Sequence, residues 1–144
     1  MPSSPGITAR ALRSGLERRP VWMNALMAFC AWMTFVYVPW DLLMKPVQQD
    51  EEVWFGIVLR GWPAKATEPL HWLLYALGTY GFWRMKTWMH PWAALYVAQI
   101  GVSMVVWAWR DPRSPGPWSG WLAALAFGWL ALALWRRRDL FREA

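Results

Sequence analysis

Residues 118–138 read WSGWLAALAFGWLALALWRRR. Its first eighteen residues carry no charge, and three consecutive arginines, Arg136–Arg138, then end the stretch. An apolar helix of about twenty residues is long enough to cross the roughly 30 Å hydrocarbon layer of a bilayer. Tryptophan and arginine beside such a segment are typical of the boundary between lipid and water. The stretch therefore predicts a transmembrane helix from about Trp118 to Trp135.

Three further apolar segments are predicted to span the bilayer, at about Val21–Met44, Thr67–Met85 and His90–Trp109. Pro39 is expected to kink or stop the first helix because proline removes a backbone donor. Thr67 is expected to cap the second helix, with Pro69 in its first turn. The short connection after Met85 makes the second and third helices antiparallel neighbours.

Residues 53–62 are apolar but too few to span, so they predict a short interfacial helix or a re-entrant turn. The predicted fold class is thus all-α: an integral membrane four-helix bundle with a short interfacial helix between spans one and two. The expected organisation is an N-terminal tail at 1–20, a four-span domain at 21–138 and a C-terminal tail at 139–144. Residues 1–20 lack the apolar core of a signal peptide, so the first helix is expected to be retained.

Composition agrees with membrane insertion, since 57% of the residues are hydrophobic and 17% are charged. The net charge of +6 does not predict nucleic-acid binding, because the basic residues flank apolar runs. Ten of them fall on one side of the predicted spans: Arg10, Arg13, Arg18, Arg19, Arg84, Lys86, Arg136, Arg137, Arg138 and Arg142. Five fall on the other: Lys45, Arg60, Lys65, Arg110 and Arg113. The imbalance predicts cytoplasmic N- and C-termini, in what we expect to be a bacterial inner membrane.

Asp41, Glu68 and His71 are the candidate catalytic residues, because ionisable groups in or near a membrane are costly and often functional. Glu68 and His71 share a helical face, and Asp41 could meet them across the bundle. A carboxylate beside an imidazole can relay protons or bind a metal. The alternative is structural: Glu68 would cap its helix, and Asp41 would pair with a nearby lysine or arginine.

A second candidate site lies deeper in the bundle. Tyr96, Gln99, Ser103 and Trp72 could bind a lipophilic ligand such as a quinone, a carotenoid or a sterol-like lipid, or simply bond neighbouring helices. His71 and His90 lie at opposite ends of the second span, too far apart to hold one haem iron. Cys30 is the single cysteine, so neither a disulfide nor a metal-spaced cysteine set is expected, and no metal site is predicted.

Small residues predict helix packing on two spans, at Gly78 and Gly81 and at Gly120, Ala124 and Gly128. Trp121, Leu125 and Trp129 form a bulky stripe beside the second set, suited to contact with lipid or another subunit. No nucleotide-binding, hydrolase or zincin motif occurs, which leaves enzymatic activity an open question.

The first functional hypothesis is an accessory or structural subunit of a larger membrane complex of the respiratory or photosynthetic type. Its partners would be membrane lipid and either other membrane subunits or further copies of the chain. The alternative is a binder or enzyme for a lipophilic small molecule that uses Asp41, Glu68 and His71. A weaker third hypothesis is a small oligomeric transporter.

Overall fold

A computed structural model of the chain describes residues 15–17 and 19–141. The predicted tails lie mostly outside the described residues, as do Arg10, Arg13, Arg18 and Arg142. Four long helices follow in order: α1 Val21–Met44, α2 Trp62–Arg84, α3 Met89–Arg110 and α4 Pro117–Arg136. Between α1 and α2 lie a 3-10 turn, Val47–Gln49, and an antiparallel pair of strands, β1 Glu51–Trp54 and β2 Ile57–Arg60. A second 3-10 turn, Arg138–Phe141, follows α4.

Three of the helices, α1, α3 and α4, are long and apolar enough to cross a membrane. Each begins and ends within one residue of the bounds expected from the sequence. The remaining helix, α2, has 23 residues but carries polar side chains in its first turns and is not in this group.

Helix α1 changes its winding just before Pro39. Residues Met33–Tyr37 form a π-helical segment, in which the N–H of Val38 donates to the carbonyl of Met33. Pro39 has no N–H, so the carbonyl of Thr34 finds no donor within its own helix. The indole N–H of Trp72 on α2 donates to that carbonyl at 2.8 Å. The proline thus does not stop α1, and the carbonyl it leaves free joins the two helices.

The prediction of a short interfacial helix between the first two spans is wrong, because these residues form a β-hairpin. Val53 pairs with Val58 and Trp54 with Ile57, which leaves a two-residue turn at Phe55 and Gly56. Both turn residues have positive φ, 52° and 82°, the combination that a type I′ hairpin turn requires. Branched and aromatic side chains on a run too short for a stable helix favour this extended pairing.

The predicted start of the second helix is also wrong. Helix α2 begins at Trp62, five residues before Thr67, after a glycine with φ of 65°. Thr67 is therefore no cap, and its hydroxyl donates to the carbonyls of Pro63 and Ala64 one turn earlier. Glu68 consequently lies in the second turn of α2, where it faces the end of α1.

Helices α3 and α4 form the most closely packed pair. A Cβ on Gly120 would lie 2.7 Å from Cβ of Ala108, and Gly101 packs on the backbone of Ala124. Gly128 does not take part in the packing predicted for it, since nothing lies within 4 Å of its Cβ position. The stripe therefore provides close contact at Gly120 and Ala124, and ends before Gly128.

The two glycines of α2 face different neighbours. Gly78 lies against the side chain of Cys30, and Gly81 lies against Met89 and Trp88 at the start of α3. Beside Gly81 is the main apolar core, at the end of the helices away from the β-hairpin. Its buried members are Met23, Phe82, Met85, Met89, Ala94, Leu134 and Phe141.

Candidate functional site

Acidic side chains from three elements converge where α1 ends, α2 begins and the β-hairpin packs over both. Asp41 comes from the last turns of α1, Asp50 precedes β1, and Glu68 comes from α2. These three residues are 3%, 1% and 0% exposed. Such burial of ionised carboxyls is costly unless opposite charges or hydrogen bonds compensate it.

Two lysines supply part of the compensation. Lys45 Nζ lies 2.9 Å from Asp41 Oδ1 and 3.1 Å from Asp50 Oδ1. Lys65 Nζ lies 3.5 Å from both Asp50 Oδ2 and Glu68 Oε1. Lys65 also donates to the backbone carbonyls of Asp41 and Lys45 at the end of α1, at 2.5 Å and 3.2 Å. The lysines therefore tie the two helix ends together through the acidic groups.

Asp50 is the carboxylate shared by the two lysines. Burial opposes its ionisation, but hydrogen bonds with Glu68 and Lys45 and the attraction of both lysines lower the pKa of Asp50. Burial likewise disfavours the charge on Lys45, yet the hydrogen bonds that Lys45 donates to Asp41 and Asp50 raise the pKa of Lys45 above its usual value. This lysine and Asp50 are a charged pair at neutral pH.

Glu52 brings a fourth carboxylate to the cluster from strand β1. His71 Nδ1 lies 2.5 Å from Glu52 Oε2. The imidazole in turn stacks on the indole of Trp54, with ring centroids 4.1 Å apart and planes 4° apart. His71 thus fixes one oxygen of Glu52. At metal sites, a hydrogen-bonding neighbour of this kind orients the carboxylate that binds the ion.

Oxygens of Asp41, Glu52 and Glu68 all lie within 4.8 Å of one another. At an effective dielectric constant of about 20, two unit charges this far apart repel by roughly 3 kcal/mol. Four carboxyl groups here face two lysines and the imidazole of His71, and the hydrogen bond between Asp50 and Glu68 places one proton on that pair. Glu68 Oε2 is in addition fully buried and receives no hydrogen bond within the described residues. The carboxyl groups that the lysines do not neutralise are compensated either by protons or by a cation.

The loop between α3 and α4 holds the outer face of the hairpin. Arg113 lies 2.6 Å from Glu51 Oε2 and 2.7 Å from Asp111 Oδ2. Hydrogen bonds from the guanidinium and backbone N–H of Arg113 hold the pKa of Asp111 well below its usual range. Glu51 and Glu52 point to opposite faces of β1. Glu51 therefore binds Arg113 of the α3–α4 loop, and Glu52 enters the cluster.

The structure places the predicted site residues in separate surroundings. Asp41 and Glu68 meet in the cluster, and His71 reaches it through Glu52. Gln99 Nε2 donates to Ser103 Oγ at 2.5 Å within α3, and Trp72 joins α2 to α1.

Tyr96 lies on α3, and no hydrogen bond of its hydroxyl occurs within the described residues. Among the described residues, Gln99 and Ser103 bond each other, and no hydrogen bond joins Tyr96 or Trp72 to that pair.

Sequence reasoning missed Asp50 and Glu52 as site residues, because they stand in a polar run typical of a solvated loop. The signal that could have identified Glu52 is the alternation in Glu51-Glu52-Val53-Trp54, which sends the two glutamates to opposite sides once the segment is a strand. The site rests on its own geometry alone, since no protein-family model, curated protein or solved structure matches this chain.

Proposed function

We propose that this chain is an integral membrane protein that binds one divalent cation between Asp41, Glu52 and Glu68. The observation that carries the proposal is the convergence of three carboxylate oxygens within 4.8 Å of one another. A cation about 2.0 to 2.6 Å from each oxygen fits between atoms at this separation. A proton would bridge two of these oxygens and leave the third uncompensated.

Charge supports the same assignment. With all four carboxyls ionised, the two lysines would leave two negative charges, which one divalent ion would neutralise after displacing the proton shared by Asp50 and Glu68. The buried Glu68 Oε2 offers a ligand atom without a hydrogen-bond partner among the described residues. Because Asp41, Glu52 and Glu68 offer only oxygen, the preferred ions are Mg²⁺, Mn²⁺ and Ca²⁺. His71 orients Glu52 and stays outside the ligand set, since its Nδ1 is bonded to the carboxylate.

The membrane arrangement follows from the sequence pattern. All four helices would span the bilayer, with the basic ends of α1, α2 and α4 in the cytoplasm of a bacterial cell. The cation site would then lie at the outer boundary, under the β-hairpin. Trp54, Trp62 and Trp118 near that boundary suit the headgroup layer.

The test is Mn²⁺ binding to the purified protein in detergent, measured by electron paramagnetic resonance with Mg²⁺ and Ca²⁺ as competitors. We expect one saturable site. Glu52→Gln and Glu68→Gln should each weaken Mn²⁺ binding by about tenfold or more, since each removes one charged ligand, and tenfold corresponds to about 1.4 kcal/mol. Saturating ion should also raise the melting temperature of the wild-type protein, because a ligand stabilises the state that it binds.

Glu51→Gln is the matched control. It removes the same charge from the adjacent position of β1 but on the other face, where Glu51 pairs with Arg60 and Arg113. Its Mn²⁺ affinity should stay within about twofold of wild type. Absence of saturable binding in the wild type, or an equal loss in Glu51→Gln and Glu52→Gln, overturns the proposal and leaves protons as the compensating charge.

An accessory-subunit role in a larger membrane complex is the second candidate function. It is favoured by the bulky stripe on α4, where Trp121, Leu125 and Trp129 are 58%, 73% and 75% exposed. Gentle extraction of the native protein followed by mass determination tests this role. Reproducible partner subunits support it, and a particle made of this chain alone excludes it. A quinone, carotenoid or sterol-like ligand stays a weaker alternative, because Gln99 and Ser103 already bond each other.

A further inference from the structure

A groove lies at the end of the helices opposite the acidic cluster. It has a volume of about 210 Å³ and runs between the first turn of α1 and the last turns of α4. Trp22, Trp129, Leu132, Ala133, Arg136 and Arg137 line it. The lining residues of α4 follow a spacing of three and four, so they form one helical face.

This face changes from apolar to basic along the helix. Trp129 stands seven residues before Arg136, which is about 10 Å along the helix axis. Arg136 and Arg137 are exposed, and within the described part of the chain neither side chain forms an ion pair or a hydrogen bond. Two guanidinium groups without anionic partners therefore stand at the open end of an aromatic and aliphatic groove.

We infer that this groove binds one anionic phospholipid, with an acyl chain between Trp22 and Trp129 and the phosphate on Arg136 and Arg137. Guanidinium groups bind phosphate oxygens through paired, charge-assisted hydrogen bonds. The groove is apolar where the hydrocarbon layer would be and basic where lipid phosphates lie. A free phosphate would match the arginines but leave the apolar walls unused. The inference does not depend on the cation site, which lies at the other end of the helices.

The experiment is native mass spectrometry of the full chain in detergent, titrated separately with phosphatidylglycerol and phosphatidylcholine of the same acyl composition. We expect one tightly bound phosphatidylglycerol and an affinity for phosphatidylcholine at least about tenfold lower, because only the first lipid has a net negative charge. Glycerol phosphate at the same concentration should not displace the lipid. Displacement would mean that the site takes a soluble phosphate and would overturn the inference.

Two variants and one control locate the site. Arg136→Gln with Arg137→Gln should lower phosphatidylglycerol affinity to the level of phosphatidylcholine. Ala133→Phe should weaken both lipids while keeping every charge, because it fills the apolar part of the groove. Arg138→Gln removes an exposed arginine outside the groove and should change phosphatidylglycerol affinity by less than about twofold.

Equal binding of the two lipids by the wild type overturns the inference. So does a loss in Arg138→Gln as large as that in the double variant, since the effect would then be one of general positive charge. Circular dichroism of each variant separates loss of binding from loss of folding, and Ala133→Phe keeps the inference testable if the double arginine variant does not fold.

Discussion

Replacement of Trp72 by phenylalanine should destabilise the protein by far more than the change in ring size implies. The indole N–H is the donor for the carbonyl of Thr34 at 2.8 Å, and phenylalanine has no such donor. No other backbone donor is in position, because Val38 N–H bonds Met33 and Pro39 has none. The variant would therefore leave a backbone carbonyl without a partner between two helices.

The size of the effect can be bounded from two directions. Hydrogen bonds between helices in membrane proteins contribute about 0.6 kcal/mol on average and up to about 1.7 kcal/mol. An unsatisfied buried polar group costs about 1 to 3 kcal/mol. Thr34 is buried, which favours the higher range, and Trp72 is 42% exposed, which favours the lower one. We therefore expect the free energy of unfolding to fall by about 1 to 2 kcal/mol.

The assay is reversible unfolding in mixed micelles with increasing dodecyl sulfate, followed by circular dichroism. Trp121→Phe is the control, because that ring is 58% exposed and its N–H has no partner within the described residues. It should change the free energy of unfolding by less than about 0.5 kcal/mol.

A double-mutant cycle with Pro39→Ala tests the reason for the effect. Alanine restores an N–H at position 39, which can donate to the carbonyl of Thr34 in place of the Trp72 indole. Trp72→Phe should therefore cost less in the Pro39→Ala background, by at least about 0.5 kcal/mol. If Trp72→Phe costs the same in both backgrounds, or no more than Trp121→Phe, the link between the proline, the π-helical segment and the indole is refuted.

Two further predictions concern the hairpin and the loop that holds it. Gly56→Ala should lower the free energy of unfolding by at least about 2 kcal/mol in thermal melts. The reason is that the φ of 82° at Gly56 disfavours a side chain and that an added Cβ would lie 2.5 Å from Val106 on α3. Gly128→Ala is the control and should cost nothing, because its Cβ would enter open space. Asp111→Asn should destabilise the protein at pH 7. Because the pKa of Asp111 is lowered by Arg113, the difference in melting temperature from wild type should be complete above about pH 4 and vanish as the pH falls through that lowered pKa; a difference independent of pH down to 2 contradicts the pairing.

The sequence predicts α1, α3 and α4 well because their apolar runs are as long as a bilayer is thick. For α4 the uncharged residues end abruptly at Arg136, so length and boundary follow from the same stretch. Helix α2 is harder to place because Gly61 and Pro63, which start it, are followed by residues that also resemble a helix start. Thr67-Glu68-Pro69 has the residue types of a cap, but tertiary contacts place them in the interior of the helix.

The β-hairpin could not be predicted from its turn, since Phe55-Gly56 lacks the Asn-Gly or Asp-Gly signal of such turns. Phe55 adopts a positive φ that non-glycine residues rarely take, and the contact of Gly56 with α3 holds it there. Gly56 and the α3 residues that it contacts, Ser103 and Val106, are about fifty positions apart in the sequence. The position of Glu52 depends on the hairpin, so its place in the site could not be predicted from the sequence either.

All three proposed ligands lie in the single segment between positions 41 and 68, so α3 and α4 contribute no ligand atom. Their effect on the site is indirect: Gly56 packs on α3, and Arg113 binds Glu51 on the outer face of β1. These two contacts fix the strand that carries Glu52, which supplies the third oxygen. The tightly packed α3–α4 pair therefore acts as the support on which a short, otherwise marginal hairpin is held against the acidic ends of α1 and α2.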